Sequence, residues 1–418
     1  MPPRRPQILL LLPAASYRNE AFVAAARRLN AEVIACADYC HRLAPDWGLP
    51  ARMAVHFDQP EAAADAILAD LDARPDAVIA VDDAGLELAA VLAARLGVAA
   101  NPPAAVRRLH DKLAFRGLLQ QAGLPCPAYR ALAADGDPSA AAAGLRFPVV
   151  AKARRLSGSR GVLRADDPAG LPHAVDRVRA IQDRADRDSR ALGLVLEEFI
   201  PGSEHALEGL IENGRLRVLA LFDKPDPLDG PAFEETILVT PSRLPARTQA
   251  ALADAVQRIT AAAGLTSGPV HAEARVNADG VWLLEAAPRS IGGLCGRILT
   301  PALGLPLEEL ILRQALGRPL PGAGPAEAAG AMMIPIPRRG ILQRVHNIDA
   351  ALRVPGVTGV RITAAPGQLL APPPDGASYL GFIFSRAPTP AAAEMALRVA
   401  HLQLAVDLAP EYPARKAG

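Results

Sequence analysis

The apolar positions of the first hundred residues alternate between two rhythms. Short apolar runs occur at Gln7–Leu12, Glu32–Ala35 and Ala77–Val81. Between them lie segments of helical spacing. Asn19–Leu29 puts Phe22, Ala25, Ala26 and Leu29 on one side, and Glu61–Leu71 and Ala84–Leu96 follow the same period. Short buried strands alternating with amphipathic helices predict a parallel sheet covered on both faces. The pattern changes after Asn101-Pro-Pro103. A helix is predicted over Arg108–Ala122, ended sharply by Gly123-Leu-Pro-Cys-Pro127. Strand signals at Phe147–Ala153 and Leu192–Ile200 flank a polar helix at Leu171–Ala185. Alternating runs at Glu204–Ile211, Arg215–Asp223 and Glu234–Val239 predict antiparallel strands. A helix over Pro245–Ala263 leads to Val270–Val276 and Val281–Glu285, joined by the hairpin signal Asn277-Ala-Asp-Gly280. Pro306–Leu316 is helical, and Pro319–Gly330, rich in Pro, Gly and Ala, reads as a linker. Strands at Ala331–Ile336, Gly359–Ala364 and Ser378–Ser385 and a helix over Ala391–Leu408 complete a small α+β unit.

Composition narrows the function classes. Lys plus Arg number 45 and Asp plus Glu 44, for a net charge of +1, so there is no global electrostatic footprint for nucleic acid or an anionic membrane. Cys36, Cys40, Cys126 and Cys295 form no CxxC pair and read as thiols in a reducing compartment. The apolar run Ile8–Leu12 is too short to span a membrane and lacks a cleavage pattern, so a cytoplasmic chain is expected. The loop after the first strand, Pro13-Ala-Ala-Ser-Tyr-Arg18, contains no GxGxxG. The layout is Rossmann-type without the dinucleotide fingerprint. Asp82 and Asp83 end the third strand, where ligands of open α/β sheets bind, but a helix-capping role is favoured for them.

Three features of the middle region converge on nucleotide chemistry. Lys152 precedes the loop Ser157-Gly-Ser-Arg-Gly161, whose backbone N–H groups and neighbouring ammonium can cradle phosphates. Alone, such a loop is usually only a turn. Glu197-Glu198-Phe199-Ile200 ends an apolar strand in acids, with Glu204 close behind. His271, Glu273 and Arg275 share one strand face, and the chain returns as Val281-Trp-Leu-Leu-Glu285. A three-residue loop with Gly280 left-handed sets Glu285 opposite Glu273, whereas a two-residue loop puts them on opposite faces. Two carboxylates at paired positions repel unless a cation lies between them, and hard oxygen donors suit Mg²⁺. Arg289 and Ser290-Ile-Gly-Gly293 follow directly. An Arg there can hold a transferring phosphoryl group.

Taken in order, these features resemble the ATP-grasp superfamily of carboxylate–amine ligases. His110-Asp111-Lys112 is similar to its DK helix, Phe147-Pro-Val-Val-Ala-Lys152 to its PVVVKP strand, Glu197–Glu204 to its hinge, and Glu285 through Arg289 to its ExNxR motif. The resemblance implies a Rossmann-like pre-ATP-grasp α/β domain at 1–105. An ATP-grasp core of two α+β subdomains would follow (106–194 and 195–318), then a linker and small C-terminal α+β domain at 319–418. It implies that Lys112 and Lys152 bind ATP phosphates and that the loop of Ser157, Gly158, Ser159 and Gly161 closes over them. Glu197, Phe199 and Ile200 would frame adenine, Glu204 would bind ribose, and Glu273 and Glu285 would hold Mg²⁺ (or Mn²⁺). Arg289 would stabilise the phosphorylated intermediate. Ala287 departs from the pattern, because many relatives carry an Asn there that helps hold a second metal ion.

Asp223-Lys-Pro through Glu235, the Cys295 neighbourhood, and Gly340-Ile-Leu through Tyr379-Leu-Gly-Phe382 are similar to bacterial L-amino-acid ligases. That likeness implies an acyl phosphate attacked by an amine, with a small-molecule carboxylate and an amine, amino acids above all, as substrates. Glu235, His271, Ser290, Gly292 and Gly293 are candidate substrate contacts. For Glu235 a salt bridge to Lys224 is an equal alternative, and for His271 a packed strand position is nearly so. No nucleic-acid or membrane partner is implied. Such relatives are commonly homodimers, though no periodic interface shows in this sequence. The alternatives are a bicarbonate-activating enzyme of biotin-carboxylase or carbamoyl-phosphate type, and a non-catalytic ATP-binding scaffold.

Overall fold

A computed structural model describes residues 4–14, 16–38, 53–185, 187–322, 324, 327–376 and 378–411. Cys40 and part of the 319–330 segment lie outside them. The N-terminal sheet is parallel, in the order Met53–Ala54, Glu32–Ala37, Gln7–Leu12, Ala77–Ala80. Ile8, Leu10 and Leu12 pack with Phe22 and Ala26 of the helix Asn19–Arg28. Leu9 and Leu11 pack on the other face with Ile67 and Leu88. Two covered faces explain the unbroken apolar run. The chain order reverses between Gln7–Leu12 and Ala77–Ala80, and a crevice opens there beyond the strand ends. Ser16, Tyr17, Asp82 and Asp83 sit in that crevice.

The central sheet is antiparallel, in the order Tyr129–Leu132, Leu194–Glu198, Val149–Ala153, Val162–Ala165. Val149, Ala151, Leu194 and Leu196 pack against Val175 and Val178 of the helix Leu171–Ala185. The alternate positions Val150, Lys152 and Glu197 face a cavity. The predicted helix over Arg108–Ala122 is two helices, Pro103–His110 and Lys112–Gln121. Asp111 is extended at the break, and its carboxylate accepts from Leu113 N at 2.9 Å and Ala114 N at 3.4 Å. A capping Asp thus places Lys112 at the first helical position.

The largest sheet has eight strands, in the order Gly280–Ala287, Ser267–Asn277, Ser203–Glu212, Arg215–Lys224, Ile237–Thr240, Ala328–Ile334, Gly381–Ala387, Val357–Ile362. Its C-terminal strands continue the sheet directly, with Leu238 paired to Ala331. The segment read as a linker therefore ends in a strand of this sheet. A further sheet of Leu369–Leu370, Gly340–His346 and Ala405–Ala409 lies beside it. The predicted helix Ala391–Leu408 is shorter, Pro390–Gln403. It is capped by Thr389 and followed by an extended Leu404 and the strand Ala405–Ala409. No helix among the described residues is long and apolar enough to cross a membrane.

Candidate functional site

The crevice of the parallel sheet, the open face of the central sheet and one end of the large sheet enclose a cavity of about 500 Å³. Lys112, Lys152, Ser157, Gly158, Ser159, Glu197, Phe199, Ile200, Glu204, Glu235, His271, Glu273, Glu285, Arg289, Gly292 and Gly293, all expected from the sequence, line it.

Lys152 and Glu197 are diagonal neighbours on adjacent strands of the central sheet, with Lys152 Nζ 2.5 Å from Glu197 Oε1. Glu197 also receives Arg116, Nε to Oε2 at 2.7 Å and Nη2 to Oε1 at 3.0 Å. Burial alone would raise the Glu197 pKa, but the two cations overcome it and hold the carboxyl at about 2. Burial pushes the Lys152 ammonium down against the pull of Glu197. Lys112 Nζ donates to Leu156 O at 2.7 Å, at the root of the glycine-serine loop. In that loop Gly158, Ser159 and Gly161 all have positive φ. Gly161 does not line the cavity; a Cβ on it would lie 2.9 Å from Ala153 Cβ, so glycine is required there for packing.

The hinge strand meets the cavity at Phe199 and Ile200. Phe199 N donates to Pro148 O, and Ile200 O accepts from Arg275 Nη1 at 3.0 Å. Arg164 and Arg275 lie over the Phe199 ring, their guanidinium carbons 4.5 and 4.7 Å from its centroid. Glu204 is engaged twice, by Lys224 Nζ at 2.8 Å and Arg275 Nε at 3.3 Å.

Glu273 lies opposite Glu285, but by a route other than the expected one. The hairpin turn has two residues, with Asn277 paired to Gly280. By itself that register would put the two acids on opposite faces. A bulge between Glu273 and Ala274 shifts it by one residue and restores the pairing. Among the described residues no side chain forms an ion pair with Glu285. Glu273 accepts from Lys224 Nζ at 2.9 Å and lies 3.5 Å from His271 Nε2. Lys224 also binds Glu235, so the salt bridge that the sequence left open for Glu235 is made. Glu204, Glu235 and Glu273 bring one oxygen each within 4.8 Å of one another, with the Lys224 ammonium between them. Burial and the charge of Glu273 push Glu235 up to about 8, while Lys224 and His271 hold Glu273 well down against its burial. His271 Nδ1 lies 3.1 Å from Glu208 Oε2, and despite burial the two acids raise the imidazole to about 9.

Arg289 follows the strand Gly280–Ala287 and reaches back to the parallel sheet, its Nε 2.8 Å from Asp83 Oδ1. Asp82 takes the expected capping role, accepting from Asp83 N at 2.9 Å, while Asp83 pairs with Arg289. Ser290 is turned away from the cavity; its hydroxyl and carbonyl both accept from Arg18. The sequence reading missed Arg116, although the spacing i to i+4 from Lys112 puts both on one helix face. Glu208 and the Arg289 partnership of Asp83 were also missed. Glu208 is an interior acid in an apolar strand, and the Asp83 contact joins residues 206 positions apart.

Residues 145–298 match the family described as ATP-grasp domain, and residues 332–409 match L-amino acid ligase C-terminal domain 2. The structure of L-amino acid ligase from Bacillus licheniformis superposes with a TM-score of 0.84 at 25% identity, covering 97% of this chain and 99% of that one. The chain carries an ATP-grasp domain over residues 145–298. Carnosine synthase 1 of Gallus gallus is 35% identical over 259 residues, which is 59% of this chain but 28% of that protein. The D-alanine–D-alanine ligase of Ectopseudomonas mendocina is 29% identical over 210 residues, 48% of this chain and 63% of that protein. The chain thus spans less than two thirds of either enzyme. Two of these relatives are ligases by name and one is a synthase, and the likeness to the Bacillus enzyme extends through the C-terminal strands.

Proposed function

We propose that this protein is a carboxylate–amine ligase that activates a small carboxylate with ATP and joins it to an amine, releasing ADP and phosphate. One observation carries the reading: Lys112, Lys152, Arg289 and the Glu273–Glu285 pair line a single cavity. The match of 332–409 to an L-amino acid ligase domain favours amino acids as substrates over bicarbonate.

Lys112 and Lys152 each spend one donor on the protein and keep others for phosphate oxygens. The backbone N–H groups of 157–161 add neutral donors that approach closely at Gly158. Adenine fits against the Phe199–Ile200 segment, where Ile200 N–H is free of hydrogen bonds among the described residues. Glu204 is the candidate for the ribose, with its two cation partners holding it in place. Arg289 faces the cavity beside the paired acids and is the residue to stabilise charge on the transferring phosphoryl group. Glu285, free of ion pairs among the described residues and opposite Glu273, fits the hard-oxygen donor chemistry of Mg²⁺. With Glu273 it would hold that ion, which supplies positive charge to the triphosphate. The acyl phosphate formed from the carboxylate is shielded from water by the 157–161 loop until an amine attacks. The protein's part is positioning and electrostatics, as phosphoryl transfer needs little covalent help.

The test is to incubate the protein with Mg·ATP and a panel of amino-acid pairs and to measure ADP and phosphate. Amine-dependent release supports the ligase. Bicarbonate-dependent release transfers the assignment to a bicarbonate-activating enzyme, and tight ATP binding without turnover to a scaffold. Glu285→Ala should abolish turnover and weaken Mn²⁺ binding followed by electron paramagnetic resonance; unchanged values of both would remove the metal assignment.

A further inference from the structure

An arginine that stabilises a phosphoryl group must present its N–H groups at a fixed place, since a misplacement of about 1 Å costs about 100-fold in rate. Arg289 sits on irregular chain past the end of a strand, where regular secondary structure does not fix a long side chain. Two contacts do. Its Nη1 donates to Ser290 O at 3.1 Å, and its Nε donates to Asp83 Oδ1 at 2.8 Å. Nη2 has no partner among the described residues. Asp83 is itself held. Asp82 Oδ1 accepts from its N–H at 2.9 Å, and Asp82 Oδ2 accepts from Ser16 Oγ at 2.9 Å. Ser157, the first residue of the glycine-serine loop, lines the same cavity as Asp83. The parallel-sheet crevice and the arginine therefore meet at one carboxylate.

We propose that Asp83 is a positioning residue of the N-terminal unit. It holds Arg289 by Nε so that the Nη2 edge stays available to the transferring phosphoryl group. The kinetic part rests on the ligase reading; the geometric part does not. The ionisation of Asp83 agrees with the geometry. Burial would raise its pKa, but Arg289 overcomes this and holds it at about 2. Asp83 lies just past the strand Ala77–Ala80 of a sheet that carries no other part of the proposed phosphate or metal machinery, so its role does not follow from the ATP-grasp core alone. A second tie runs parallel to it. Glu87, on the helix that follows Asp83, lies 3.5 Å from both Arg155 and His110 at the root of the same loop.

Two measurements test the proposal. The first does not need activity. In ¹⁵N-labelled protein, the Arg289 Nε–H signal, assigned by its loss in Arg289→Lys, is expected to exchange slowly with solvent, and Asp83→Asn is expected to remove that protection. Fast exchange in the wild type, or unchanged protection in D83N, overturns the proposal. The second is a double-mutant cycle on ADP release. D83N should lower kcat on the order of 100-fold with little change in KM for ATP, and should add nothing in the Arg289→Ala background. An equal loss in that background shows that Asp83 acts elsewhere and overturns the positioning role. Asp83→Glu keeps the charge on a longer arm, and is expected to fold and recover part of the rate even where D83N does not fold. If wild-type protein shows no amine-dependent ADP release, the ligase reading fails while the exchange measurement still decides the role of Asp83.

Discussion

Arg116 and Glu197 meet edge to edge in the interior, both almost wholly removed from water, and the same carboxylate lies 2.5 Å from the Lys152 ammonium. Glu197 is thus the counter-charge shared by the fully buried Arg116 and the cavity-lining Lys152. A buried pair of this kind adds little net stability, but removing one partner exposes the cost of burying the other.

Arg116→Met should therefore destabilise the protein by about 3–5 kcal/mol in urea unfolding. Arg116→Lys should also lose stability, because a single ammonium cannot reproduce the two-point contact. A change below about 1 kcal/mol for R116M would contradict the pairing.

The same carboxyl sets an acid limit. Its folded-state pKa of about 2 lies below the ordinary 4.5. A depressed carboxyl contributes stability above its unfolded pKa and loses it as pH falls through the folded value. The Glu197 contribution should be complete above pH 4.5 and drain away toward pH 2. Glu197→Gln should be less stable than wild type at pH 7, yet lose less between those limits, as followed by thermal melts.

Lys224→Met leaves Glu204, Glu235 and Glu273 within 4.8 Å of one another without their shared cation. Their mutual repulsion should raise the carboxyl pKa values, a cost that protonation relieves. The melting deficit of K224M against wild type should be largest near pH 8 and narrow toward pH 5. Mn²⁺ should raise the melting temperature of the variant more than that of the wild type.

Two glycines of the glycine-serine loop should respond differently to alanine. Both Gly158 and Gly161 have φ of +63°, so each substitution carries a left-handed penalty of roughly 1–2 kcal/mol. Gly158 has open space around it, whereas a Cβ on Gly161 meets Ala153 Cβ at 2.9 Å and Leu156 Cδ1 at 3.3 Å. Gly161→Ala should cost about 1–3 kcal/mol more than Gly158→Ala in denaturant unfolding.

Ser290→Ala removes a partner of the buried Arg18. It should lower stability by about 1–3 kcal/mol. The KM for either substrate should be unchanged, since the hydroxyl does not reach the cavity.

Local pattern carried most of the fold. The strand Gln7–Leu12 and the helix Ala246–Ala263 lie where apolar spacing and helix-stopping residues put them. Lys152, the 157–161 loop, Glu273 and Arg289 were legible because each belongs to a short motif. What was not legible depends on partners distant in sequence. The bulge after Glu273 corrects a two-residue turn and is invisible in the turn residues themselves. Arg116 reads as an ordinary polar helix position until Glu197 is brought to it from 81 residues away. Ser290 sits beside Arg289 in sequence, yet strand exit geometry sends it the other way, to Arg18. Asp111 shows that a capping residue inside a continuous helical pattern can divide it.

The continuous large sheet has a consequence for recombining such chains. Cutting after the helix Leu307–Ala315 would strip four backbone pairings from Ile237–Thr240 and leave Ile237, Leu238 and Val239 on a bare apolar edge. Such an edge is an aggregation hazard. A chimera that exchanges C-terminal segments between relatives must therefore preserve the register of Leu238 against Ala331, or carry both strands across together. The unit of exchange is the strand pair, and a junction in the Pro- and Gly-rich segment just before it, the natural choice by eye, separates the two halves of that unit.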